Sequence, residues 1–236
     1  MIPLKVTFRF GSPVMTDSEH PIHLDALIAS SAVVEAEIGG ETDPWAAADD
    51  LSDYLDKAVH ENGWVWKASA LRFEPETEAM DGLFVAFNMV RRSDPARRYD
   101  DLEAGLWGSD RKINPETFSI NTRSGQQRGY QWIAQARWMR SATAWAVGDI
   151  DAVREALKLE RIGYVGKMRR NGFGRVVSVD VEPVEDARDA DRWLLRTLPF
   201  GMPGRNGVPY APVQACLRAP YWRKTDRVAA LEPVDA

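Results

Sequence analysis

The stretch RIGYVGKMRRNGFGRVV, residues 161–177, decides how the rest of this chain is read. It holds four glycines, five basic residues and no acid, inside a chain of 236 residues whose formal net charge is −5. Upstream, Asp149 stands where an N-cap is expected for IDAVREALKLERIG, in which Ile150, Val153, Leu157 and Leu159 mark an apolar face. An amphipathic helix is predicted there. Downstream, GRVVSVDVEPV is rich in β-branched side chains and predicts a strand. Gly163 and Gly166 follow the helix, and Gly172 and Gly174 precede the strand.

Glycine permits positive φ and close backbone approach. Exposed N–H groups in such loops form concave anion sites. Lys167, Arg169, Arg170 and Arg175 add side-chain charge. Phosphate suits the combination, because charge-assisted contacts from Arg are short and can be bidentate. Two familiar phosphate motifs are excluded. A P-loop requires G-x-x-x-x-G-K-[ST], but Met168 follows Gly166–Lys167, and Arg161 occupies the place of the leading glycine. The dinucleotide fingerprint runs strand, glycine-rich turn, helix, which is the reverse of the order here. A glycine-capped helix end followed by a solvated basic turn fits the same residues, so the stretch by itself leaves both readings open.

Working outward, 236 residues make one large domain or two small ones, enough to bury a core. The hydrophobic fraction of 44% argues against disorder. Nine tryptophans suit cores, partner surfaces and base stacking alike. Cys216 is the single cysteine, which excludes an intramolecular disulfide and a cysteine-based zinc site. The opening MIPLKVTFRF lacks the pattern of a signal peptide, and no apolar run is long enough to cross a bilayer. A cytoplasmic protein with no membrane partner is expected. The acidic balance disfavours nucleic-acid binding by net charge but leaves room for a local basic surface, since charge acts within roughly 8–10 Å.

LKVTFRF predicts a first strand, ended by Gly11 and Pro13, and a helix is expected over about 22–37, stopped by Gly39–Gly40. Residues 41–62 read as a solvated acidic helix or loop. GWVWKASALRF and GLFVAFNMVRR each read as one strand, joined by the turn-rich EPETEAMD. Residues 93–130 carry Pro95, Gly105, Gly108, Pro115, Gly125 and Gly129 and show no regular period. YQWIAQARWMRSATAWAVGD alternates over its length, as a long strand or a hairpin arm would. The order strand, helix, strand, strand, helix, strand gives an α+β class and the split βαβ of a ferredoxin-like, RRM-like domain, a fold that many functions share. That domain is expected over 1–185 with an insertion at about 93–130. A small C-terminal extension is expected over 186–236, its end from 228 disordered.

IGYVGKMRRNGFGRV after an amphipathic helix resembles the glycine-rich loop of the repeat-associated RAMP proteins of CRISPR systems, and PIHLDALIASSAV and WVWKASAL resemble that group's first helix and following strand. Over about residues 4–184 the chain is similar to Cas5-like subunits, most closely the small Cas5-type protein of type IV complexes. The resemblance implies a non-catalytic subunit, without cofactor or metal, that holds the 5′ handle of the guide RNA (crRNA). It implies contacts with a Cas7-like backbone subunit and a large, Cas8-like subunit, with target DNA met through the complex. Carried onto this sequence, Gly163, Gly166, Lys167, Arg169, Arg170, Asn171, Gly172, Phe173, Gly174 and Arg175 would hold the RNA or shape the loop that does. For Phe173, base stacking and core anchoring stand equal.

The resemblance also implies a protruding thumb, and the 93–130 insertion sits in about its place. Its later half carries Arg111, Lys112, Arg123 and Arg128 with aromatic residues including Tyr130, a combination of phosphate attraction and stacking. A mobile loop with solvating charges is the alternative. Some Cas5 relatives cut precursor RNA with a histidine, a lysine and a tyrosine, which makes a metal-independent endoribonuclease the alternative function. His20 and His23 stand three apart at the start of the first helix. His23 enters the RNA-contact set, although local hydrogen bonding is the plainer role for it. Arg218, Arg223, Lys224 and Arg227, with Tyr221 and Trp222, make a second basic cluster that would extend the RNA groove or meet a partner.

Overall fold

The computed structural model describes residues 1–16, 21–76, 85–91 and 129–234. The chain divides into two units, residues 1–85 with 136–236, and residues 86–135.

The larger unit is built on an antiparallel sheet of β1 (Ile2–Phe10), β4 (Arg72–Pro75), β7 (Met139–Gly148) and β8 (Val176–Pro183), in the order β4-β7-β1-β8. Leu4, Val6 and Phe8 alternate along β1 and are all fully buried. They stand opposite Ala146, Ala144 and Ala142 of β7. Three small residues beside three large ones leave room for a helix to approach the same face. That helix is α1 (Leu24–Ile38), which buries Ile28, Ala29, Ala32 and Val33 in the same apolar cluster. Its chain stops at Gly39, whose N–H donates to Glu35 O at 2.8 Å. The second helix, α2 (Ile150–Ala156), is capped by Asp149, whose carboxylate accepts from the N–H groups of Asp151 and Ala152 at 3.0 and 2.9 Å.

The α+β class and antiparallel sheet are as expected and are compatible with a ferredoxin-like fold. Four local expectations are corrected. Residues 41–62 are not merely a solvated segment: Leu51 and Leu55 are buried in the main core, and a hairpin of β2 (Lys57–His60) and β3 (Gly63–Trp66) closes the stretch. GWVWKASALRF is not one strand. It is interrupted between β3 and β4, where Ala68 N–H donates back to Trp66 O at 2.8 Å and the N–H groups of Ala70 and Leu71 donate to Leu195 O and Ile22 O, each at 2.8 Å. YQWIAQARWMRSATAWAVGD divides into β6 (Tyr130–Ala136) and β7. The break falls where Arg137 exchanges two backbone bonds with Val14, at 2.7 and 2.8 Å. Residues 228–233, expected to be disordered, form a strand.

That strand, β11 (Val228–Pro233), lies between β10 (Tyr210–Ala215) and β9 (Leu198–Pro199) in a second antiparallel sheet. Ala230 is fully buried there with Leu198 and Val65, so a small residue at the sheet centre does what hydropathy alone does not advertise. In the smaller unit, β5 (Val85–Arg91) pairs with β6. Of the predicted insertion at 93–130, only Gly129 and Tyr130 fall among the described residues. No helix among the described residues is long and apolar enough to cross a membrane.

Phe8→Ala is expected to cost about 3–5 kcal/mol by the cavity it leaves. In a thermal melt that lowers the midpoint by roughly 10 °C.

Candidate nucleic-acid interface

The glycine-rich stretch joins α2 to β8 and folds over the segment that follows β1. Lys167 N–H donates to Met15 O at 2.7 Å, and Gly174 N–H donates to Pro13 O at 2.8 Å. Val165 N–H donates to Gly174 O at 2.8 Å, closing the loop on itself. Ser12 ties down the far side: its Oγ donates to Gly172 O at 2.8 Å and accepts from Arg175 N–H at 2.9 Å.

Two glycines make this closure possible. Gly166 has φ +98°, and a Cβ there would lie 2.5 Å from Met15 O. Gly174 has φ +69°, and a Cβ there would lie 1.8 Å from Val165 O. The close approach is therefore to the protein's own backbone, not to a ligand. Gly172 differs: it is left-handed at φ +86° but has open space where a Cβ would stand.

Between these pins the chain turns outward. Arg169, Arg170 and Asn171 form a short 3-10 turn, entered through Met168 in the left-handed region at φ +56° and left through Gly172. Lys167, Arg169, Arg170, Asn171, Gly172 and Arg175 are exposed. Among the described residues no carboxylate forms an ion pair with the side chains of Arg169, Arg170 or Arg175. Their charge faces solvent. Phe173 is half-buried and Gly163 sits at the base, its N-terminal side joined to β8 by Val176 N–H donating to Gly163 O at 3.0 Å.

Ten of the sequence candidates are thus brought together in one loop. Arg111, Lys112, Arg123 and Arg128 lie outside the described residues, as does His20. Tyr130 begins β6 in the smaller unit. His23 is corrected: it is not on an exposed surface. At 2% exposure it lies inside, with Nε2 at 3.3 Å from Thr197 Oγ1 and its ring stacked on Tyr221 at 4.5 Å. Among the described residues no group of three or more His, Cys, Asp or Glu is arranged to hold a metal ion.

His23 belongs to a polar cluster that sequence inspection did not find. Arg196 is fully buried and donates to Ala68 O at 3.0 Å, Leu217 O at 2.7 Å and Tyr221 Oη at 2.7 Å. Its guanidinium stands 3.4 Å from the carboxylate of Asp25, itself fully buried. Tyr221 Oη donates to both oxygens of Asp25, at 2.9 and 2.8 Å. The signal was a lone arginine in the apolar run WLLRTLPF, where a charge has no solvated neighbour. Burial, with the nearby Arg196 charge, holds His23 well below its ordinary 6.5, so it is neutral. Burial also raises Asp25 above its ordinary 3.8, an effect that Arg196 and Tyr221 oppose.

A family model described as CRISPR type IV associated protein Csf3 matches residues 2–233, nearly the whole chain. No curated protein matches.

Gly174→Ala is expected to lower the melting midpoint by more than 4 °C, since it adds a clash to about 1–2 kcal/mol of left-handed strain. Gly172→Ala carries the strain alone and is expected to fall short of that loss. For His23 the unfolded imidazole takes up a proton below about 6.5 while the folded one resists, so stability falls as pH drops from 7 towards 5. The slope for this one group is at most about 1.4 kcal/mol per pH unit. His23→Gln is expected to flatten that part of the melting-midpoint profile.

Proposed function

Because the chain belongs to the Csf3 family of CRISPR type IV associated proteins, we propose that it is a non-catalytic subunit that grips the 5′ handle of the guide RNA and caps a Cas7-like backbone. The observation that carries this reading is the loop at 166–175: a cationic turn displayed on a frame pinned by backbone hydrogen bonds. A preorganised loop loses little entropy when it binds, and phosphate oxygens accept readily from arginine. Non-glycine backbone in the left-handed region, as at Met168, is retained where a surrounding structure holds it, and such sites cluster at ligand clamps.

The fold is read in the same way. With β1, α1, β4, β7, α2 and β8 taken in chain order, the sheet order β4-β7-β1-β8 fits a split βαβ unit, with β1 between β7 and β8, the strands on either side of α2. The insertion at about 93–130 is read as the thumb. A large Cas8-like subunit and, through the assembled complex, target DNA are the further partners. Cytoplasmic action follows from the guide RNA being the ligand. Cleavage through His23 is disfavoured, since the ring is enclosed and neutral.

The test is RNA retention by Lys167→Ala, Arg169→Ala, Arg170→Ala combined in the full chain. The variant is expected to bind a guide transcript more weakly. Its plot of log affinity against log salt is expected to be shallower by about 0.7 per lost phosphate contact on a single strand. Unchanged affinity and slope would falsify the loop as the grip.

A further inference from the structure

We infer that the turn at 218–227 is a second contact for single-stranded nucleic acid, with Trp222 as the residue on which an unpaired base stacks. This deepens the reading of the chain as an RNA-binding subunit and rests on it, but it concerns a segment other than the glycine-rich loop.

Trp222 is 70% exposed, the most exposed aromatic residue among those described. It contributes nothing to either apolar cluster. Yet it is not on a loose tail. Tyr221, immediately before it, is fastened through its hydroxyl to Asp25 at 2.8 Å and to Arg196 at 2.7 Å. Immediately after it, the carbonyl of Arg223 accepts from Cys216 Sγ at 3.0 Å, and Arg223 N–H donates to Pro220 O at 3.2 Å. The buried Arg196 also holds Leu217 O at 2.7 Å. A large apolar ring is thus presented to solvent on a turn fixed from both sides. Burying a ring of this size is favourable, so leaving it exposed on an anchored backbone fits a surface that is covered on binding. An aromatic with two side-chain torsions loses little freedom when it binds.

The charge around it selects the class of partner. Arg218, Arg223, Lys224 and Arg227 stand in this segment against one acid, Asp226, in a chain that is acidic overall. Arg223 lies 5.9 Å from the Trp222 ring. Among the described residues its carboxylate neighbour is Asp226, 3.9 Å away, and both groups are about half exposed, so the pair is weak. Arg218 is held over the Trp64 ring at 3.9 Å, which fixes its position while leaving its charge in place. An aromatic platform bordered by cations matches a base and its flanking phosphates. An apolar protein partner would gain from the ring but leave the cations unmatched.

The experiment titrates the full-length chain into a labelled single-stranded oligouridine and into an RNA duplex of equal length. Trp222→Ala is expected to weaken single-strand binding about 5- to 150-fold, the range that stacking on one base corresponds to. Duplex binding and the melting midpoint should stay as in the wild type, and Trp222→Phe should keep most of the single-strand affinity. Single-strand affinity that survives Trp222→Ala overturns the inference. So does an equal loss on both probes, because a paired base offers no free face. If Trp222→Ala only releases a co-expressed subunit with RNA affinity intact, the turn is a protein contact and the inference also falls. The loop variant separates the two proposals. A loss there with none at Trp222 sinks this inference alone, whereas the converse removes the loop grip and leaves Trp222 standing.

Discussion

The buried guanidinium of Arg196 ties the first helix to the segments around residues 68 and 217–221. Arg196 has no solvent to hydrate its charge, so every partner must come from the chain, and they come from well-separated places: Asp25 on the first helix, Ala68 after the β2–β3 hairpin, Leu217 and Tyr221 near the C-terminus. Taking such a charge out of water is costly, and it is tolerated only where a carboxylate and several carbonyls surround it. Removing one partner from a buried pair of this kind costs about 3–5 kcal/mol, so the arrangement enforces one relative placement of the segments that meet there. His23 is carried inside by the same constraint. It stacks on Tyr221 because Tyr221 must reach Asp25, which is why a histidine beside the start of a helix is enclosed and neutral rather than displayed.

The glycine-rich loop separates two duties along one stretch. Its glycines at 166 and 174 serve the interior, where only a residue without a Cβ can let the loop rest on residues 13–15 and on itself. Its cations serve the exterior. The two are coupled, because the outward turn at 169–171 is held by the bonds that the glycines permit. The Trp222 turn repeats the division: Tyr221 and Cys216 point inward and hold it, and the neighbouring ring and charges point outward.

Much of this could be read from the residues alone. The period-two burial of Leu4, Val6 and Phe8, the Asp149 cap and the β-branched run of β8 are local patterns, and each specifies its element without help from distant contacts. The clustering of Lys167, Arg169, Arg170 and Arg175 follows from their closeness in the chain and needed no fold to bring them together. Where local pattern ran out, long-range bonding decided. The alternation from Tyr130 to Asp149 is continuous in sequence, but backbone bonds to Val14 end one strand at Ala136 and begin another at Met139. Residues 228–233 carry few large apolar groups, and only pairing with β9 and β10 makes them the centre of a sheet.

The sequence by itself therefore determined the α+β class, the helix-to-strand setting of the basic loop and the chemistry that loop offers, because these rest on spacing and side-chain type over a few residues. The tertiary structure alone decided that His23 is interior, that Arg196 and Asp25 meet, that the loop glycines press on the protein's own backbone and that Trp222 is held outward. Each of these depends on which distant segments share a neighbourhood, and the free energy of burying a charge or excluding a Cβ exists only once those segments have met.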